Sequence, residues 1–438
     1  MSSSLVSTPD PAASVPEIVG DGIGPCFSGH PVRFSLLTAP PFQFAAYYAP
    51  DGAMTVARRR LEENVWSTAV LPETVGWDSH NGIVLARDAA GFLHLSGNMH
   101  ASPLVYFRTR LSDDIASFER IPLMVGEREA AVTYPEFFTG PSGVLCFNYR
   151  DGSSGKGDQV YNRYDVRAQR WERLASGAIV SGLGVCNAYL DGPHRGPDGL
   201  FHLCWVWRDN PDAATNHDVC YARSRDLVHW ETSAGEALSL PITPRSAEVV
   251  DPVPAGVGLM NGNVLLGFDG EGRPVIAYHK LDAGGRTQLY NARLEKAGWR
   301  IHETSHWNHL WMPQGWGTII FQIRISPVWT SRDGTLLQSY FHAKEGAGLW
   351  RLDPETLRPL ETTPSLASRL SAALFPVSPG MTRHWITDQR FPSGTDPFAL
   401  TWESLPENRD KPQAELSPTS RLQIVRQGNE WAGVVNVT

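Results

Sequence analysis

Short apolar runs recur along the chain, each entered through a turn carrying Gly and followed, after a gap, by a run rich in Tyr and Arg. Six such turns stand at Asp51-Gly52, Asp88 to Gly91, Gly140 to Gly143, Asp198-Gly199, Asp269 to Gly272 and Asp333-Gly334. Behind them come runs such as Phe92-Leu-His-Leu-Ser, Val144-Leu-Cys-Phe and Leu200-Phe-His-Leu. The Tyr- and Arg-rich runs begin at Val105, Val160, Val219, Leu289 and Gly348, and Phe118, Trp171, Trp230 and Trp299 mark a fourth strand. Gly and Asp between such runs are hairpin signals. A self-similar period of about 40 to 50 residues, stretched by loop insertions, is that of four-stranded propeller blades. The pattern predicts an all-β fold, a seven-bladed β-propeller, with six blades as the alternative.

The repeats set residues 1–35 apart as an N-terminal extension and 36–438 as a single propeller domain. Residues 376–420, rich in Pro, Ser and Thr, read as loop or an irregular blade. Residues 421–436, with Arg421-Leu-Gln-Ile-Val-Arg and Glu430-Trp-Ala-Gly-Val-Val, read as two strands that close the last blade with N-terminal material. Ser224-Arg-Asp226-Leu-Val-His-Trp230 is similar to the degenerate Asp-box turn of sialidase-like propellers, a structural hairpin device.

Composition agrees: 40 Gly, 33 Pro and 15 Trp in 438 residues suit many short strands and turns. The net charge of −8 argues against a nucleic-acid partner, which demands a basic surface. No stretch approaches the roughly 18 apolar residues of a membrane span, so no membrane partner is expected. The N-terminal text lacks a basic start and an apolar run, so the chain as given reads as cytoplasmic, or as secreted if a leader has been removed. Cys26, Cys146, Cys186, Cys204 and Cys220 form no CxxC pair and read as buried free thiols. A zinc site drawing on Cys204, His217 and Cys220 is the weaker alternative.

In an antiparallel hairpin the start of one strand and the end of the next share an edge. His80-Asn81 enters the first strand of the second blade, and the returning strand delivers His100 to the same rim. In the third blade Tyr134 enters, Tyr149-Arg150 leaves and Arg163 lies on the third strand. The fourth adds Asn187, Arg208 and Asn216-His217; later blades add Asn261, His279-Lys280, Arg324, Tyr340 and His342. His94 and His202, within strands, read as structural.

Paired carboxylates, the requirement of ordinary glycoside hydrolysis, are scarce at this rim. His, Tyr and Arg suit β-elimination from a uronic acid instead. Arg pairs with the carboxylate and stabilises the enolate-like intermediate. A neutral imidazole, with an ordinary pKa of about 6.5, takes the C5 proton, and a Tyr or second His protonates the departing O4. No cofactor is required. A glycoside hydrolase resembling α-L-rhamnosidases and a non-catalytic propeller binding an acidic carbohydrate stay open as alternatives.

The text from His80 to Arg108 resembles the BNR-repeat polysaccharide lyases, seven-bladed propellers that include ulvan lyases and rhamnosyl-glucuronate lyases. Tyr149-Arg-Asp-Gly-Ser-Ser-Gly-Lys-Gly157, Tyr161-Asn-Arg163-Tyr and Asn216-His217-Asp-Val-Cys-Tyr-Ala-Arg-Ser224 extend the likeness over roughly residues 40 to 350. The resemblance implies His80 and His100 as acid and base, Tyr149 as a catalytic or supporting tyrosine, and Arg163 as the partner of the uronate carboxylate. The resemblance adds Arg208, His217 and Arg324 as weaker binding candidates, and the shared rim adds Asn81, Arg150 and His279 as substrate-binding residues. The expected partner is a uronate-containing oligo- or polysaccharide, cleaved at a rhamnose–glucuronate linkage to leave a 4,5-unsaturated uronate. The resemblance also allows a structural calcium or zinc ion.

Overall fold

The computed structural model describes residues 17–20, 22–331, 333–364, 377–388, 398–413 and 419–426. These form seven antiparallel blades. The first runs through Ser35–Ala39, Phe42–Tyr48, Ala53–Arg60 and Ser67–Thr74, and the second through Ile83–Arg87, Leu93–Gly97, Tyr106–Thr109 and Phe118–Arg120. The third takes Val132–Thr139, Leu145–Asp151, Asp158–Asp165 and Arg170–Arg173, and the fourth Asn187–Arg195, Phe201–Arg208, Asn216–Ser224 and Trp230–Glu231. Leu265–Phe268 opens the fifth and Ile323–Ile325 the sixth.

The seventh blade corrects the expected boundaries. Thr382–Thr387 pairs with Phe398–Ser404, which pairs with Gln423–Arg426, and the last strand is Glu17–Gly20. Thus 376–420 contributes two regular strands, and 1–35 is no separate extension, because its strand completes the ring. The pairing of 421–426 with N-terminal residues follows expectation; the run from Glu430 lies outside the described residues.

Inner strands lose the usual in-out alternation because blades pack on both of their faces. All eight residues of Phe201–Arg208 are buried, whereas the outer strand Ser67–Thr74 is mostly exposed. Five of the six predicted turns join first and second strands. Asp51-Gly52 instead joins the second and third strands of the first blade, one position later in the repeat. Its predicted place is taken by Ala39 to Phe42, a Pro-Pro turn without Gly.

Several turns share an internal polar brace. Asp88 accepts the backbone N–H groups of Ala90 and Phe92, both at 2.9 Å, and faces His94 at 3.3 Å, whose other ring nitrogen meets Tyr106 Oη at 2.7 Å. Asp198, His202 and Tyr221 repeat this arrangement one blade pair later. His94 and His202 are therefore structural. The Ser224–Trp230 hairpin is tied as the Asp-box reading expects, with Asp226 Oδ1 accepting His229 N at 2.7 Å and Ser224 Oγ donating to His229 O at 2.6 Å. All five cysteines are buried and free.

Candidate active site

A cavity of about 580 Å³ opens where the rim edges of the blades meet, within the range of small-ligand sites. His80 sits in the loop between the first two blades, whose turn is set by Asp78: its carboxylate accepts His80 N at 2.9 Å. His100 arrives by an unexpected route. After Leu93–Gly97 the chain turns through Asn98 at φ 62°, and His100–Ser102 pairs with Val132–Thr139 of the third blade. His100 thus lies on the seam between two blades.

Asp78 joins the two histidines. Its Oδ1 lies 2.6 Å from His80 Nδ1 and its Oδ2 2.6 Å from His100 Nδ1, and the imidazoles stack with centroids 4.0 Å apart. Burial pushes the Asp78 carboxyl upward, but the hydrogen bonds from His100 and His80 and their charge outweigh it and hold it well below the usual carboxylate range. An ionised carboxylate only accepts, so each Nδ1 carries the proton of its bond to Asp78, and Nε2 is the ring nitrogen left for chemistry.

Tyr134 stands beside His80, with ring centroids 5.6 Å apart. Its backbone is left-handed at φ 55°, a conformation uncommon for a bulky residue, at a bulge between Thr133 and Glu136. Tyr134 is 38% exposed toward the cavity, yet desolvation among the groups packed around it pushes its phenol upward from the ordinary range, with neighbouring Tyr189 adding to this while Arg150 and Arg208 oppose it. The phenol keeps its proton at neutral pH and can donate it.

Arg208 lines the cavity and bonds only neutral oxygens: Tyr189 Oη at 3.5 Å, Asn261 Oδ1 at 3.3 Å, Asn210 O at 3.2 Å and Pro211 O. Arg150, one layer behind, reaches Thr133 Oγ1 at 3.1 Å and Tyr189 Oη at 3.4 Å, with its guanidinium 5.0 Å from the Tyr134 ring centroid. Among the described residues neither arginine has a carboxylate within 4 Å. Buried charge of this kind is expensive without a counterion, and the two create a place for an anion. By contrast, Arg324 pairs with Glu407 at 3.1 Å and Arg33 with Glu136.

The sequence-derived set divides accordingly. His80, His100, Arg208 and Arg324 line the cavity; Asn81 and Arg150 lie behind it. Tyr149 stands outside the cavity lining: successive strand residues face opposite sides, so it takes the face opposite Arg150, fully buried, and accepts from Arg173 Nη1 at 3.1 Å. Arg163 also stands outside the cavity lining. It lies five residues, roughly 16 Å, down its strand from the rim residue Asp158, half-exposed and paired with Glu172 at 3.1 Å. His217 is held between Asp209 and Asp218 outside the cavity. His279 is completely buried against Trp311, its ring centroids 5.0 Å away. Lys280 pairs with Asp251 at 2.6 Å, and Tyr340 and His342 pack around Trp307.

Sequence reasoning passed over Tyr189, on the first strand of the fourth blade, and Ser154, Trp316, Thr318, Glu407 and Asp410, which come from loops without a repeat signature. Asp78 was visible as the carboxylate two residues before His80. Ser79 Oγ donates to Asp410 Oδ1 at 3.2 Å and touches Thr318 Oγ1, so a loop of the seventh blade braces the His80 turn.

Among the described residues Asp78, His80 and His100 form the one cluster of three metal-ligating side chains, and it does not fit a structural ion. Both carboxylate oxygens already accept an Nδ1–H, calcium takes oxygen ligands, and structural zinc takes four protein donors. Cys204, Cys220 and His217 do not converge, and burial pushes both thiols well above their ordinary range.

Fold and rim together define the class, a seven-bladed β-propeller with a cationic, histidine-bearing funnel. The chain belongs to the BNR repeat-containing family, whose profile matches residues 42–307, more than half of its length. The long isoform of ulvan lyase from Alteromonas sp is 30% identical over 122 residues, which make up 26% of this chain and 12% of that relative. The match therefore spans a small part of the curated relative. The crystal structure of polysaccharide lyase Uly1 aligns with TM-score 0.59 at 16% identity, over 91% of this chain and 90% of that one. A PL25 ulvan lyase bound to -[GlcA(1-4)Rha3S]- aligns with TM-score 0.62 at 13% identity, over 94% and 96%. At these identities the likeness carries the fold.

Proposed function

We propose that this protein is a carbohydrate lyase that cleaves a 4-linked uronic acid by β-elimination, at a rhamnose–glucuronate linkage. The observation that carries this reading is the stacked His80–His100 pair on one carboxylate, facing a cavity with an arginine that lacks a carboxylate partner. Arg208, with Arg150 behind it, receives the uronate carboxylate. Nε2 of one histidine removes the C5 proton, and the electron pair delocalises into the Arg-bound carboxylate. It then forms the C4–C5 double bond as the C4–O4 bond breaks, and the departing oxygen takes a proton from Tyr134 or the second histidine. The products are a 4,5-unsaturated uronate and a saccharide with a new hydroxyl.

Two-carboxylate hydrolysis finds little support. Among the described residues lining the cavity the carboxylate is Glu407, and it is tied to Arg324. Kinship with ulvan lyases, one of them seen with -[GlcA(1-4)Rha3S]- bound, supports a substrate built of glucuronate and rhamnose. Incubation with rhamnosyl-glucuronate oligosaccharides tests the reading: absorbance should rise near 235 nm as chains shorten. Shortening without that absorbance would mean hydrolysis, and binding without shortening would mean a lectin-like propeller.

A further inference from the structure

Trp316 is 69% exposed, and among the described residues no other tryptophan is as open. It lines the cavity of His80 and His100, and an aromatic ring in the lining of a pocket is available to a ligand. The strap that carries it is held at both ends. Asp212 Oδ1 accepts Gly315 N at 2.7 Å, and Gly315 O accepts Ala213 N at 3.0 Å, tying one end to the fourth blade. Asp410 accepts Thr318 N at 2.9 Å and Thr318 Oγ1 at 2.6 Å, tying the other to the seventh. Gly315 and Gly317 are left-handed, at φ 90° and 72°, and a Cβ on Gly317 would stand 3.2 Å from Asp410 Oδ2. The strap is thus fitted to its supports, and the indole is presented rather than left loose.

The cavity lining is also chemically mixed. His80, His100, Tyr134 and Arg208 supply polar groups, and Met260, Leu265, Ile319, Phe321 and Trp316 supply apolar surface. A pyranose has the matching character, hydroxyl edges around an apolar C–H face, and a deoxysugar adds a methyl group.

We propose that Trp316 is a stacking platform on which the sugar adjoining the uronate lays the apolar face of its ring. The platform rests on the reading that the funnel takes a uronate-containing saccharide. Thr318 Oγ1, two residues on, touches Ser79 Oγ beside His80, so the platform adjoins the reacting pair. It selects saccharide length without touching the reacting atoms.

The test compares wild type, Trp316→Phe and Trp316→Ala, each checked for an unchanged melting temperature. Calorimetric Kd is measured for glucuronic acid alone and for a tetrasaccharide of two rhamnosyl-glucuronate repeats, with initial rates near 235 nm. The Ala variant should bind the tetrasaccharide about tenfold more weakly, with the loss in KM, and the Phe variant should recover most of the affinity. Glucuronic acid should bind wild type and the Ala variant alike. Equal tetrasaccharide affinity in the Ala variant overturns the platform, as does an equal loss for glucuronic acid. If wild type binds the tetrasaccharide without eliminating, the lyase reading fails while the Kd comparison still decides the platform. If wild type binds neither sugar, both readings fall.

Discussion

His80 and His100 stack at 4.0 Å while each donates its Nδ1 proton to the same Asp78 carboxylate. One acidic side chain thereby fixes two ring orientations and two tautomers. Neither imidazole can rotate to present Nδ1 to a substrate without giving up that bond, so both Nε2 atoms are committed to the funnel.

Asp78→Asn should therefore reduce kcat by about 10²–10⁴-fold, the range of a misplaced general acid or base. An amide accepts through one oxygen only and turns an N–H toward the second ring. Rates near 235 nm together with melting curves check this; a variant that folds and keeps wild-type kcat removes Asp78 from the site.

Two tyrosines of the third blade should part company. Tyr134→Phe should lower kcat by about 10²-fold, because the phenol is the protonated group beside His80. Tyr149→Phe should leave kcat alone and destabilise the fold by about 1 kcal/mol, through loss of the buried bond from Arg173. Urea unfolding and initial rates on both variants distinguish the roles.

Arginines should divide the same way. Arg208→Lys should raise KM by at least about tenfold, since an ammonium cannot offer a planar fork to a carboxylate. Arg163→Lys, in a half-exposed pair with Glu172, should leave both the melting temperature and the activity close to wild type. A strong rate loss in the Arg163 variant would return the carboxylate partner to the outer strand.

His279 sets an acid limit on stability. Burial pushes its imidazole down to about 3, so between that value and the ordinary value of about 6.5 the unfolded chain holds a proton the folded protein refuses. Its contribution is complete above the unfolded value and drains away as pH falls toward 3. Urea melts from pH 7 to 4 should show a shallower acid decline in His279→Leu than in wild type. Parallel curves would mean that His279 takes up its proton without unfolding.

Blade count, third-strand identities and the structural roles of His94 and His202 were all legible, because they follow from a repeat in which turn and strand chemistry recur together. His80 and His100 were legible because hairpin geometry sends both ends to one edge. Tyr149 and Arg163 show where that argument stops. An edge tells which rim a residue approaches; alternation then decides which face it takes, and distance along the strand decides whether it arrives. Inner strands buried on both faces erase the polar–apolar alternation from which the face could have been read. Trp316, Thr318 and Asp410 belong to straps between repeats, where position is set by tertiary hydrogen bonds, and no period announces them.

The bond between Asp410 and Ser79 spans 331 residues of sequence. Synthesis runs from the N-terminus, so His80 emerges early and waits through five further blades for its brace. The strand Glu17–Gly20 waits equally for Gln423–Arg426. On the ribosome the His80–His100 pocket is therefore among the last features to be completed, and a nascent chain stopped before the seventh blade carries both histidines without their finished surroundings.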